Sequence, residues 1–167
     1  MKTIALFFFA MFITFGLCAC DQDNHHDQKI SIEVLKAFEQ KFPDAVGVEW
    51  EKDGKYYVAD FRSALPEGHS GVKYELEAWF DSSANWRMTV KDVTYDMLPQ
   101  VVKDGFTASN FGAWNVEDSD IVERNGKDTV YVLEVEQGHQ ERYLYFNSNG
   151  KLTQERKNGS DDYRDLL

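Results

Sequence analysis

Cysteine is nearly absent from this sequence of 167 residues, which contains only Cys18 and Cys20. No cysteine follows Cys20, so the rest of the chain can form no internal disulfide, even in an oxidising compartment. A cysteine nucleophile is excluded from the same region. Hydrophobic residues make up 43% of the chain and aromatic residues 14%. The chain can therefore bury a sizeable core, which excludes a disordered protein.

Positive charge is also scarce, with 18 lysines and arginines against 29 aspartates and glutamates and a net charge of −11. Such a surface repels the phosphate backbone, so nucleic acid is excluded as a partner. The acidic surplus favours a basic partner, or it simply keeps the protein soluble.

Catalytic motifs are missing as well. No serine lies in a G-x-S-x-G elbow, and no glycine-rich phosphate loop occurs. His69 and His139 lie in polar turns that contain glycine, without cysteines or carboxylates at the spacing of a metal site. We therefore expect exposed turn histidines and predict neither a metal nor a cofactor.

Carboxylates are paired on several predicted strands, as in Glu75 with Glu77 and Glu134 with Glu136. A glycosidase needs two carboxylates at a set separation across a cleft, which a sequence does not show. A composition this acidic produces such pairs without any function. The sequence therefore predicts a protein that is not an enzyme, and a hydrolase with an unrecognised carboxylate site remains an alternative.

The first twenty residues contain one charge, Lys2, ahead of a nearly continuous apolar run over residues 4–17. A charged start followed by an apolar stretch, rather short for a stable membrane span, is typical of a secretory signal peptide. The sequence therefore predicts export from the cytoplasm.

The apolar run closes on Leu17-Cys18-Ala19-Cys20, which resembles the lipobox of bacterial lipoproteins. The resemblance implies that residues 1–19 are a signal peptide removed by cleavage and that Cys20 is acylated. Several acyl chains would anchor the protein durably in a membrane. An ordinary cleaved signal and an uncleaved anchor helix are the alternatives.

Residues 20–29 include a polar stretch, residues 21–28, that contains no apolar residue. We interpret it as an acidic tether that holds the folded domain away from the membrane. His25 and His26 in this tether could bind a metal, but adjacent residues on a flexible segment are poorly preorganised. The predicted location is extracytoplasmic, at the periplasmic face of the outer membrane or at the cell surface.

From residue 30 the chain shows one pattern twice, in residues 30–94 and in residues 95–157, before a polar tail of residues 158–167. Each pattern combines one amphipathic helix with alternating apolar and polar segments that are typical of strands. The sequence therefore predicts an α+β fold, namely a tandem repeat of one helix plus a four-stranded antiparallel sheet.

The helix signals are specific in both units. Ser31 can cap the first helix, which ends before Pro43, and Pro99 fits the first turn of the second. The apolar positions share one face of each helix. They are Val34, Leu35, Phe38 and Phe42 in the first helix, and Leu98, Val101, Val102 and Phe106 in the second.

Several short motifs at helix ends, strands and turns resemble those of the PepSY-like family. Its members are exported proteins that are related in fold to the β-lactamase-inhibitor protein and are abundant in Bacteroidetes. The motifs are Phe42-Pro43-Asp44-Ala45 followed by Trp50, a Tyr-Val-x-Asp/Glu strand, the turn at Phe80-Asp81, and Leu98-Pro99. The resemblance covers nearly all of the chain after the tether. It implies helices packed on one face of a sheet and brings no catalytic residues with it.

Strand alternation then predicts a recognition surface on the sheet face opposite the helices. Large aromatic residues flanked by carboxylates suit a protein or peptide partner that is partly basic. The residues predicted to face this partner are Trp79, Tyr143, Tyr145, Asp60, Glu77 and Glu134. We predict a monomeric, non-catalytic binding or inhibitory module. An envelope sensor for a small ligand or ion is the alternative, and ordinary cross-strand packing would explain the aromatic residues without any partner.

Overall fold

The computed structural model describes residues 30–64, 73–157 and 163–167. The predicted signal peptide, Cys20, the tether, His69 and the first part of the polar tail lie outside the described residues. Within these ranges, no helix is both long and apolar enough to cross a membrane.

Two α-helices and eight β-strands make up most of the described chain, together with 3₁₀ turns at Tyr95–Met97 and Tyr163–Leu166. In chain order the elements are α1 (Ile32–Lys41), β1 (Val46–Asp53), β2 (Tyr56–Ala64), β3 (Lys73–Asp81), β4 (Trp86–Asp92), α2 (Gln100–Thr107), β5 (Asn115–Arg124), β6 (Lys127–Gln137), β7 (Gln140–Asn147) and β8 (Leu152–Lys157).

All eight strands belong to one antiparallel sheet in the order β1-β2-β3-β4-β5-β6-β7-β8. The predicted tandem repeat of one helix plus a four-stranded sheet is therefore wrong. The strands that were expected to end one sheet and begin another, β4 and β5, pair directly, with Val90 opposite Val122. Joining them satisfies the backbone groups that two separate sheet edges would leave unpaired.

The first helix follows its sequence signals closely. The Ser31 hydroxyl accepts a hydrogen bond from the Val34 amide at 3.3 Å, and the helix ends at Lys41, shortly before Pro43. Val34 and Phe38 are buried against the sheet. This helix covers a cluster of side chains on β2 and β3, namely Ala59, Phe61, Ala78 and Phe80.

The second helix buries Val102 and Phe106 as predicted, but Val101 is 43% exposed and does not belong to the apolar stripe. The helix lies so close to the β7–β8 turn that a Cβ on Gly105 would overlap the main-chain oxygen of Gly150. This close approach sets the position of α2 over its core cluster, which includes Leu133, Val135, Leu144 and Phe146.

A third apolar cluster lies on the opposite face of the sheet, where no helix packs. Its buried members come from the middle of the sheet and from one residue near the end of the chain. They are Val58, Trp79, Met88, Val90, Val122, Val132, Tyr143, Tyr145 and Tyr163. The sheet is therefore apolar on both faces near its centre, while the surface around this cluster is charged.

Candidate functional site

The candidate site is the sheet face opposite α1 and α2, which we call the helix-free face. Successive side chains of a strand alternate between the two faces. On β3, Ala78 and Phe80 pack under α1, while Trp79 belongs to the cluster on the other side. The predicted division of β3 between its two faces is thus confirmed.

Part of the helix-free face is an open groove of about 480 Å³ that crosses β1, β2, β3, β4 and β5. We call it the acidic groove because, among its described lining residues, six carry carboxylates and one is basic. The carboxylates are Glu49, Asp60, Glu75, Glu77, Asp92 and Asp120, and the basic residue is Arg62.

Glu77 is a partly buried carboxylate in the lining of the acidic groove. Burial raises its pKa to about 7, and the negative charges of Asp60, Glu51 and Asp53 act in the same direction. The indole N–H of Trp79 donates a hydrogen bond to Glu77 Oε1, which lowers the pKa in part. Glu77 is therefore poised to gain or lose its proton near neutral pH.

Two further carboxylates of the groove show the same crowding. The pKa of Asp60 is raised, first by burial and then by the charges of Glu51 and Glu49. The pKa of Asp92 is raised by burial and by the neighbouring Asp118 and Glu75. Like charges held this close destabilise one another, so the face is prepared to accept positive charge.

The structure brings together two of the residues predicted from the sequence to bind a partner. Asp60 and Glu77 lie directly opposite each other on β2 and β3 and both line the acidic groove. Glu134 lies across from Asp118 and Tyr143 on the same sheet face but away from the groove lining.

The three predicted aromatic residues lie on the helix-free face, but their side chains are buried. Trp79 is 5% exposed, Tyr143 8% and Tyr145 3%. They pack into the apolar cluster under residues near the end of the chain, including Tyr163. Their role in partner binding stays a prediction.

Sequence reasoning missed Glu49, Asp92 and Asp120 as members of the site. Alternation on β1 could have found Glu49, because its neighbour Trp50 packs under α1. Asp92 and Asp120 become neighbours only because β4 pairs with β5. His139 was expected in an exposed turn, and it is exposed. Within the described ranges, no three histidine, aspartate or glutamate side chains are placed to hold a metal ion.

Comparison with known proteins assigns this architecture to a family. A model of the family described as β-lactamase-inhibitor-like, PepSY-like matches residues 55–154. A BLIP-like protein from Bacteroides fragilis NCTC 9343 is 36% identical, with a TM-score of 0.68 over 79% of this chain and 90% of its own. The chain belongs to the PepSY-like family.

Two other solved structures extend the PepSY-like comparison. A DUF2874 family protein from Bacteroides uniformis ATCC 8492 is 28% identical, with a TM-score of 0.68 over 77% of this chain and 90% of its own. A protein from Bacteroides eggerthii DSM 20697, described as periplasmic, is 25% identical, with a TM-score of 0.67 over 77% of this chain and 89% of its own. No curated protein sequence matches the chain. The PepSY-like resemblance expected from the short sequence motifs is confirmed.

Proposed function

We propose that this PepSY-like protein is a non-catalytic binding module that takes a basic segment of a protein or peptide into the acidic groove. The main support for the proposal is the excess of carboxylates in this groove on the helix-free face. Its described lining residues place six carboxylates around a single guanidinium, that of Arg62. Burial is the main cause of the raised pKa values of Asp60, Glu77 and Asp92, and repulsion from neighbouring carboxylates adds to it. A cationic segment would relieve that repulsion.

The dimensions of the groove suit an extended chain. Its lining comes from five neighbouring strands, β1 to β5. Four spacings of about 4.8 Å give a width of roughly 19 Å, which accommodates about six extended residues. An open groove of this length favours a protein or peptide over a small ligand, which is usually enclosed on most sides. The description of the family as β-lactamase-inhibitor-like also supports a protein partner.

We place this activity outside the cytoplasm, on a lipid-anchored protein. The relative from Bacteroides eggerthii is described as periplasmic, which supports an extracytoplasmic location. The order of Lys2, an apolar run and Leu17-Cys18-Ala19-Cys20 supports acylation of Cys20. An anchored module would meet its partners at the membrane surface, where both are held at high effective concentration.

The test is binding of a labelled peptide of alternating lysine and serine, followed by fluorescence anisotropy. Asp60→Asn with Glu77→Gln removes two carboxylates from the groove while preserving side-chain shape. Glu33→Gln with Glu39→Gln changes the net charge equally on the exposed surface of α1, outside the groove. We expect about five- to tenfold weaker binding by the first variant and nearly unchanged binding by the second.

Two controls separate specific binding from general attraction to an acidic protein. A peptide of alternating glutamate and serine should not bind at all. Raising the salt concentration should weaken the binding of the lysine peptide, and the loss of affinity should be largest for the wild type. Equal loss of affinity in the Asp60/Glu77 and Glu33/Glu39 variants would mean that net charge alone attracts the peptide, and the groove would not be the site.

A further inference from the structure

Residues 163–167, which we call the covering segment, lie on the helix-free face beside the acidic groove. The Tyr163 ring is 8% exposed and belongs to the apolar cluster of this face. Its hydroxyl donates a 2.5 Å hydrogen bond to the carboxylate of Asp120, a residue that also lines the groove. The Arg164 guanidinium pairs with Asp53 at 3.1 Å.

The remainder of the covering segment makes polar contacts at the margin of the same face. Asp165 pairs with Arg156 at 3.1 Å. The Lys127 ammonium donates to the main-chain oxygens of Leu166 and Leu167 at 3.4 and 2.7 Å. Both leucines are half-buried against the apolar cluster. The segment therefore combines one buried ring, ion pairs of both signs and aliphatic contacts.

These contacts are of the kind that a short segment can exchange for others. The guanidinium of Arg164 and the carboxylate of Asp165 are largely exposed, and ion pairs at exposed positions contribute little to stability. Tyr163 is the one buried residue of the segment, whereas Leu166 and Leu167 are half-buried and Arg164 and Asp165 are exposed. A short segment with a single buried side chain opens more readily than the hydrogen-bonded sheet on which it packs.

We propose that the covering segment is an intramolecular occupant of a peptide-binding surface and that a partner segment of the same chemistry displaces it. The partner chemistry is an aromatic residue followed by arginine and, a few positions later, by aliphatic residues. The surface beneath the segment includes Trp79, Tyr143 and Tyr145. This inference rests on the proposed function and extends it. The binding surface would have two halves, the acidic groove and the apolar cluster, and the covering segment would control access to the second.

These aromatic residues and Tyr163 of the covering segment belong to one buried cluster. Trp79 joins the two halves, because its ring lies in the apolar cluster while its indole N–H donates to Glu77 in the acidic groove. Asp120 joins them a second time through Tyr163. A partner that displaced the segment would reach the buried rings and the groove carboxylates together.

The experiment measures binding of the labelled peptide Tyr-Arg-Asp-Leu-Leu, the sequence of the covering segment, to the full chain. In one variant, Arg164→Ala and Asp165→Ala weaken the segment through exposed side chains, so folding should be preserved. In another, Tyr163→Ala removes the buried ring. The matched control, Arg142→Ala with Glu155→Ala, deletes an ion pair of 3.0 Å elsewhere on the sheet.

We expect Tyr163→Ala to bind the peptide at least about tenfold more tightly than the wild type and the control. Arg164→Ala with Asp165→Ala should bind it about two- to threefold more tightly, because exposed ion pairs contribute little to the attachment. The peptide Ala-Ala-Asp-Leu-Leu should bind none of them. The proposal is overturned if Arg164→Ala with Asp165→Ala binds no better than the wild type while its thermal unfolding remains cooperative. It is equally overturned if the control variant gains as much affinity.

The same measurements separate this inference from the proposed function. In one outcome the Tyr-Arg-Asp-Leu-Leu peptide binds as expected, but the Asp60/Glu77 variant binds the lysine peptide as tightly as the wild type does. That outcome supports displacement of the covering segment and shows that the acidic groove is not a basic-peptide site. In the other outcome the lysine peptide requires Asp60 and Glu77, but no variant binds the covering-segment peptide. That outcome supports the acidic groove as a basic-peptide site and contradicts displacement of the covering segment.

Discussion

Asp60 and Glu77 lie directly opposite each other on adjacent strands of the helix-free face. Side chains in this relationship have Cβ atoms about 5 Å apart, and like charges placed there destabilise the sheet. The pKa of each is raised, chiefly by burial, and each lies near further carboxylates on β1. The pair therefore stores electrostatic repulsion that protonation or a bound cation would release.

The first prediction concerns the pH dependence of stability. Folded Glu77 holds its proton up to about pH 7, whereas an ordinary glutamate releases it near 4.5. Between these values the folded state binds more protons, so the free energy of unfolding falls as the pH rises. In the wild type, the free energy of unfolding should therefore be lower at pH 8 than at pH 5. Glu77→Gln should reduce this difference by about 1 kcal/mol after allowance for solvent screening. Urea unfolding at pH 5 and pH 8 measures it, and an unchanged slope in Glu77→Gln would contradict it.

The second prediction concerns Trp79. Because the ring is buried, Trp79→Ala should lower the free energy of unfolding by about 3–5 kcal/mol, even if partner binding also changes. Trp79→Phe keeps most of the packing but removes the N–H that donates to Glu77, so the pKa of Glu77 should rise further. Thermal unfolding and NMR titration of Glu77 give the two readouts. A fully stable Trp79→Ala variant would show that the ring does not support the fold.

The third prediction concerns the contact between α2 and the β7–β8 turn. Gly105→Ala should destabilise the protein by about 2 kcal/mol, although alanine normally favours helices, because the new Cβ overlaps the main-chain oxygen of Gly150. Gly126→Ala is the control, since nothing lies within 4 Å of its Cβ and only its φ of 68° is strained. That control should cost about 1 kcal/mol. Denaturant unfolding compares the two, and a stabilised Gly105→Ala would contradict the close contact.

The fourth prediction concerns the anchor. The wild-type protein should enter the detergent phase on phase separation and carry the added mass of acyl chains. Cys20→Ser should remain in the aqueous phase, because each buried methylene contributes about 0.8 kcal/mol to membrane binding. Cys18→Ser is the matched control and should still be acylated. A wild-type protein that stays in the aqueous phase with an unmodified Cys20 would refute lipidation.

The fifth prediction is that the domain of residues 30–157 folds as a whole. Expressed separately, residues 29–94 and 95–167 should each lack a cooperative thermal transition. The division removes the pairing of β4 with β5 and splits an apolar cluster that contains Met88 on one side and Val122 on the other. Each fragment is also close to the size at which a single core becomes marginal. Sharp, independent unfolding of both fragments would show two domains instead.

Local patterns in the sequence determined the individual elements. Ser31 and Pro43 mark the ends of α1 because capping and the loss of a backbone donor act within a few residues. Alternation on β3 placed Trp79 and Glu77 on one face and Ala78 and Phe80 on the other, since this periodicity is a property of the strand itself. The short motifs around these elements also pointed to the PepSY-like family, which the comparisons confirm.

Only the tertiary structure decided how these elements join. The sequence did not show that β4 and β5 pair, because an edge strand carries no local signal that names its partner. That pairing makes one sheet and brings Asp92 beside Asp120. The apolar cluster that contains Trp79 likewise includes Tyr163, whose hydrogen bond to Asp120 spans 43 residues. Contacts across such distances depend on how the whole chain packs, and strand periodicity alone does not contain them.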